Sequence, residues 1–309
     1  MKLQDLPLED RPCDIDKHGP IFILGCPRSG TTFLSNCVGA IPGVREFVGI
    51  LAPPRIMHLI GDDKSNQTRD ELLSCVRDSF WQAFWRRIYF RNEKLMLLAN
   101  RSLTIKEFLE KPNMDGKLFC YKEPFLCFAI EHFARHFPNS KFIHIIRDGR
   151  DTADSMVRSY GDALSDEVLA SEKLSYNKVS EIGTWRRVNG FNYPWWLPIS
   201  EEASFKSMSK YGRYVRLWKE MTIRCRSLKG ILGYDRYFEI RYEDFVSDPT
   251  KHGHEIRRFL KKPSSTSFRR RLNRAFTAST NISKKNQAED LLNESLEIAG
   301  DLLEELGYV

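Results

Sequence analysis

Gly25-Cys26-Pro27-Arg28-Ser29-Gly30-Thr31-Thr32 follows directly on the apolar run Pro20-Ile21-Phe22-Ile23-Leu24. An apolar run that ends in Gly and passes into a Gly/Ser/Thr loop predicts a buried strand feeding the N-terminus of a helix. Gly25 and Gly30 let the backbone curl tightly, and its N–H groups, together with the helix dipole, make a socket for an anion. The spacing from Gly25 to Gly30 is that of a nucleotide P-loop. The residue after it is not: Thr31 stands where the phosphate-binding Lys belongs, ahead of a permitted Thr32. The cation lies inside the loop instead, at Arg28, which argues against ordinary ATP or GTP chemistry.

Working outward, a second apolar run, Phe142-Ile143-His144-Ile145-Ile146, leads into Arg147-Asp148-Gly149-Arg150-Asp151-Thr152-Ala153-Asp154-Ser155. Strands are expected at 20–25, 117–121, 141–146 and 237–241. Helices are expected at 30–40, 68–110, 127–136, 151–159, 205–229, 250–260 and about 286–306. Strands alternating with helices imply βαβ units and a parallel sheet. Phe80, Trp81, Phe84, Trp85 and Phe108 read as a core stripe along the long helix. Residues 160–204 interrupt the alternation, first polar and Ser-rich, then aromatic. Residues 261–285 read as a basic linker.

Pro27-Arg28-Ser29-Gly30-Thr31-Thr32 resembles the 5′-phosphosulfate loop of the sulfotransferases that use 3′-phosphoadenosine 5′-phosphosulfate (PAPS). The Arg147…Ser155 segment resembles that family's 3′-phosphate motif, a strand ending in Arg with a Ser eight residues later. The wording Arg147-Asp148-Gly149-Arg150 is similar to the tyrosylprotein and bacterial branches. Tyr242-Glu243-Asp244-Phe245 with Asp248-Pro249, and the ending Leu306-Gly307-Tyr308, are also similar to family signatures. The resemblance implies an α/β fold, a parallel sheet flanked by helices and related to the P-loop nucleotide kinases. On this reading residues 1–19 are an irregular lead-in and 20–309 a single sulfotransferase domain. That domain has a Trp-rich insert at about 160–204 and a basic loop plus helix over 261–309.

The resemblance also assigns roles. Pro27 to Thr32 would hold the 5′-phosphosulfate through the N–H groups of Ser29 to Thr32, the Thr hydroxyls and the guanidinium fork of Arg28. Arg147 and Ser155 would bind the 3′-phosphate. Thr280-Asn281-Ile282-Ser283-Lys284-Lys285 is similar to the loop that folds over the donor, with Lys284 or Lys285 as the cation. Lys122, in Tyr121-Lys122-Glu123-Pro124-Phe125, is the second catalytic cation. For the base, the family's Glu aligns nearest Val48 or Gly49. Glu46 is the nearby carboxylate and Glu123 the alternative; a solvated loop carboxylate is the other reading of Glu46. Asp148, Arg150 and Asp151 are read as a helix cap with local pairs.

Composition is consistent with this and decides little. The chain has 309 residues, 41% of them hydrophobic and 29% charged, and a formal net charge of +7. That charge suits a doubly phosphorylated nucleotide and also permits acidic glycans or nucleic acid. Arg269, Arg270, Arg271 and Arg274 read as a solvated helix face. The seven cysteines show no CxxC and no metal-ligand spacing, which suggests reduced thiols and a cytoplasmic setting. His132 and His136 share a helix face without a third ligand, so no metal is expected. His144 reads as a packed strand residue. No run of about 18 apolar residues marks a membrane span. Trp195 and Trp196, within Tyr193-Pro194-Trp195-Trp196, read either as an acceptor surface or as a lid packed on the domain.

The expected activity is sulfuryl transfer from PAPS to an acceptor hydroxyl, of a glycan, small molecule, lipid or peptide tyrosine, with no nucleic acid partner. A P-loop kinase using MgATP and a non-catalytic polyanion-binding protein are the rivals.

Overall fold

The computed structural model describes residues 15–47, 57, 59–60, 66–86, 117–167, 185–276, 280, 282–283 and 287–309. Its centre is strand β1 (Ile21–Leu24), in which every residue is buried. Five parallel strands form the sheet: β1, β2 (Val44–Phe47), β3 (Leu118–Lys122), β4 (Lys141–Ile146) and β7 (Tyr237–Arg241), in the order β2-β3-β1-β4-β7. A parallel sheet is covered on both faces, so its strands read as continuous apolar runs. Here Ile21 and Ile23 face one core and Phe22 and Leu24 the other.

The first core lies under helix α1 (Thr31–Gly39). Leu34 and Val38 from that helix meet Ile143, Ile145 and Ile240 of the sheet. Three further helices complete this face: α7 (Tyr242–Ser247), α8 (Pro249–Leu260) and α9 (Thr266–Leu272). The second core is aromatic. Phe22 stacks on Phe142 with centroids 5.2 Å apart, and Phe80, from α2 (Asn66–Arg86), lies 4.9 Å from Tyr121. This face also takes α3 (Ile130–His136), α4 (Gly149–Tyr160), α6 (Lys210–Ile231) and α10 (Glu289–Glu305), after a short α5 (Glu202–Ser207). His144 is buried on this face, its Nδ1 2.9 Å from the Tyr237 hydroxyl.

Several boundaries differ from the sequence reading. Val44–Phe47, read as loop, is the edge strand β2; its two polar residues, Arg45 and Glu46, hide it from a search for apolar runs. The basic linker contains α9, whose amphipathic turn buries Phe268 and Leu272 beneath an arginine-rich outer face. A 3-10 turn at Pro124–Ala129 precedes α3, because Pro124 starts a turn capped by Glu123. The expected 205–229 helix is two helices, broken where the Ser209 side chain caps α6. Phe80 is core as expected. Residues 87–116, including Phe108, and the side chains of Trp81, Phe84 and Trp85 lie outside the described residues.

The insert contains a hairpin, β5 (Trp185–Val188) and β6 (Phe191–Pro194), turned by Asn189-Gly190 with φ of 50° and 81°. Positive φ at both central residues is what a tight two-residue hairpin requires. Trp196 is buried and stacks on Phe128 at 6.3 Å and edge-on to Phe205 at 6.1 Å; Trp195 lies 4.7 Å from Phe128. Both Trp side chains pack on the domain, Trp196 buried and Trp195 half-buried, in line with the lid alternative.

Candidate active site

The carboxyl ends of the parallel strands set the site, since the crevice of an open α/β sheet forms there. After β1 the chain turns through Gly25 to Gly30. Gly25 has φ of 144°, and a Cβ there would lie 2.5 Å from the Ile145 carbonyl. Gly30 has φ of 91°, and a Cβ would lie 2.5 Å from the Tyr242 ring. Both positions therefore require glycine. Arg28 is also left-handed, with φ of 70°, and is exposed. A non-glycine residue in this region is strained by about 1–2 kcal/mol, and such strain gathers at functional sites.

The loop delivers the N-terminus of α1. Gly30 provides no side-chain cap, and the first helical bond runs from Leu34 N–H to the Gly30 carbonyl. Helix geometry leaves the N–H groups of Thr31, Thr32 and Phe33 without an intrahelical acceptor, aimed along the dipole at whatever anion sits in the loop. One expected donor drops out: the Ser29 N–H closes a turn onto the Cys26 carbonyl at 3.1 Å. The Ser29 hydroxyl lies 3.4 Å from the Thr152 hydroxyl.

The second motif meets the first directly. Arg28 Nε donates to Ser155 Oγ at 3.2 Å, and Arg147 Nη1 donates to the Arg28 carbonyl at 2.8 Å. Arg147 is buried, lies 3.8 Å from Asp151 and stands 5.2 Å from the centre of the Tyr242 ring. Two motifs 119 residues apart in sequence thus meet at one place. Gly149 admits the Trp218 ring, which a Cβ would strike at 2.4 Å, and Trp218 Nε1 donates to the Arg147 carbonyl at 3.0 Å.

Asp148 caps α4 by accepting from Arg150 N–H at 2.9 Å, and the Arg150 guanidinium binds the same carboxylate with two bonds. Asp151 keeps its local pair with Arg147 and adds a long-range role. Its Oδ1 accepts from Ser283 N–H at 2.8 Å and from the Ser283 hydroxyl at 2.7 Å. That anchors the C-terminal loop against the cleft. Lys284 and Lys285, the expected cations of this loop, lie outside the described residues.

The chain terminus buckles onto the same motif. The Tyr308 hydroxyl donates to Glu243 Oε2 at 3.0 Å, and Glu243 Oε1 accepts from Asp148 N–H at 3.0 Å. Arg150 Nη2 donates to the Tyr308 carbonyl at 2.6 Å. Burial raises the Glu243 carboxyl above its ordinary range, opposed by the Asp148 N–H. Tyr242-Glu243 and Gly307-Tyr308, family signatures with no role readable from the chain, meet here through space. Trp218 carried no signal at all.

Lys122 closes β3 at the level of Ile23, and Glu123 follows at the sheet edge, buried, its Oε1 accepting from Phe125 N–H at 3.1 Å. Glu46 sits on β2 opposite Cys120, two residues short of Lys122 on β3. It points to α1, accepts a short bond from the Ser35 hydroxyl and lies against Gly39. It is not a solvated loop residue: burial raises its carboxyl, with Ser35, Lys122 and Arg271 acting in the opposite sense.

The sequence model of the Sulfotransferase family matches residues 20–196. The chain belongs to the sulfotransferase family. It is 29% identical over 183 residues to Protein-tyrosine sulfotransferase 2 of Gallus gallus, covering 54% of this chain and 44% of the relative. It is 32% identical over 143 residues to Protein-tyrosine sulfotransferase 1 of Mus musculus, covering 44% of this chain and 33% of the relative. These matches span less than half the length of either relative. The sulfotransferase domain from the curacin biosynthetic pathway shares the fold, with a TM-score of 0.52 at 15% identity, over 92% of this chain and 97% of that one. As in that family, the expected parallel sheet flanked by helices is present.

Proposed function

We propose that this sulfotransferase-family protein moves a sulfuryl group from PAPS to an acceptor hydroxyl. The observation that carries it is the bond from Arg28 to Ser155, with Arg147 on the Arg28 carbonyl. Those contacts join a phosphate loop that lacks the kinase Lys to a second cationic site. A nucleotide phosphorylated at both 5′ and 3′ positions matches that pair, whereas MgATP has nothing for the second site.

The protein's own groups divide the work. The N–H groups at the start of α1 and the Arg28 fork hold the phosphosulfate, and Arg147 with Ser155 holds the 3′-phosphate. Lys122 meets charge that develops on the leaving phosphate oxygen. The bond from sulfur to that oxygen breaks as the acceptor oxygen bonds to sulfur, and adenosine 3′,5′-bisphosphate leaves. The acceptor proton passes to a carboxylate. We assign it to Glu123, which stands at the strand end beside Lys122. Glu46 is the second reading, favoured by its raised carboxyl and set back by its engagement with Ser35. A phenolic hydroxyl is the first acceptor to try, because the relatives are named protein-tyrosine sulfotransferases.

Sulfate transfer from PAPS to a tyrosine peptide and to simple alcohols, followed in wild type, Glu123→Gln and Glu46→Gln, tests this. Glu123→Gln should lose at least 100-fold in turnover while binding donor normally, the size expected of a lost general base. Loss in Glu46→Gln alone would move the base to Glu46. Full turnover in both would remove carboxylate catalysis from the scheme.

A further inference from the structure

Residues 249–276, which form α8, α9 and the turns beside them, carry nine Lys and Arg and a single Glu. Their formal net charge of +8 exceeds the +7 of the whole chain, so the remainder carries a net −1. The basicity of this protein therefore belongs to one helical pair. The cleft does not account for it, since Arg28, Lys122 and Arg147 lie outside this stretch.

The pair also flanks a half-open groove. Gly253 lets α9 close on α8, because a Cβ there would lie 2.5 Å from Leu272. Above that contact runs a groove of about 470 Å³ lined by Thr250, His254, Arg257, Arg269, Arg270 and Asn273, within the size range of small-ligand sites. Of its cations, Arg257 is held in place by the backbone of its own turn. Arg257 Nη1 donates to the Lys262 carbonyl at 3.0 Å and its Nη2 lies 2.9 Å from His254 Nδ1. Arg258 lies 3.3 Å from the other nitrogen of that ring. The stretch ends at the cleft: the Phe276 carbonyl accepts from the Tyr242 hydroxyl at 3.2 Å, and the Tyr242 ring covers Gly30.

We propose that this groove docks an anionic glycan, a sugar chain bearing sulfate or carboxylate groups. Guanidinium forks match those two anions in plane and spacing. The hydroxyl and amide groups of Thr250, Thr266 and Asn273 suit a hydroxyl-rich chain. A single-stranded nucleic acid would stack its bases on exposed aromatic faces, and Phe268, the aromatic residue of the groove lining, is 1% exposed.

The test is calorimetric titration of the full chain with a heparin-derived hexasaccharide at several salt concentrations. Wild type should bind it, and Arg269→Ala/Arg270→Ala should bind at least tenfold more weakly with a shallower salt dependence. Both side chains are exposed, so the double variant should keep the wild-type melting temperature. It should also keep its stabilisation by adenosine 3′,5′-bisphosphate, which separates groove from cleft. The idea is overturned if the hexasaccharide does not bind or if the double variant binds it as wild type does. Tighter binding of a single-stranded RNA or of phosphatidylserine vesicles than of the hexasaccharide overturns it equally.

Discussion

Glu46 shows how one residue changes meaning between sequence and structure. As a loop carboxylate it would be solvated; on β2 it is half-buried against α1 with Ser35 as its donor. Burial raises its carboxyl above the ordinary value. A carboxyl raised in the folded state stabilises the fold most at low pH, and that contribution is lost as pH climbs from the unfolded value through the folded one. At neutral pH the ionised form is thus the unfavourable one. Glu46→Gln, which keeps an acceptor for Ser35, should therefore be more stable than wild type at pH 7. Its advantage should vanish near pH 4, in urea melts at the two values. A Gln variant that is less stable at pH 7 would show that the charge itself supports the fold. Arg28, Arg147 and Ser155 were legible because each sits at a fixed offset from a strand end. Glu243, Trp218 and Ser283 were not, because their roles exist only through space.

At the scale of elements, the C-terminal tail acts as a buckle for the start of α4. Tyr308 reaches Glu243, Glu243 holds the Asp148 N–H, and Arg150 returns to the Tyr308 carbonyl. Tyr308→Phe removes one hydrogen bond to the half-buried Glu243 carboxylate, a loss of about 1.5–3 kcal/mol. Because Asp148 adjoins Arg147, the variant should also bind adenosine 3′,5′-bisphosphate more weakly, read by chemical melts with and without nucleotide. Unchanged stability and affinity would make the buckle ornamental. The apolar strands and the helices after them were readable from the chain. The β5–β6 hairpin went unread although Asn189-Gly190 is a turn signal, because Trp185-Arg186-Arg187-Val188 shows no apolar run ahead of it. β2 and α9 were not readable either, being four and seven residues long, with their apolar faces declared only by their neighbours.

For the whole molecule, alternating strands and helices gave the parallel sheet, but strand order and register are long-range facts. The order β2-β3-β1-β4-β7 places β1 between β3 and β4, so Lys122, the Gly25–Thr32 loop and Arg147 emerge side by side. The total charge concealed its own distribution: a donor cleft and a separate basic face give the same +7. The proposed function turns on the cleft taking a ligand with anions at both the 5′ and 3′ positions. It is tested most directly by thermal stabilisation with adenosine 3′,5′-bisphosphate, ADP, 5′-AMP and MgATP side by side. A ligand at 100 times its dissociation constant adds about 2.7 kcal/mol, a shift easily resolved. The 3′,5′-bisphosphate should stabilise the protein selectively; stabilisation by MgATP, with none by the bisphosphate, would contradict the account.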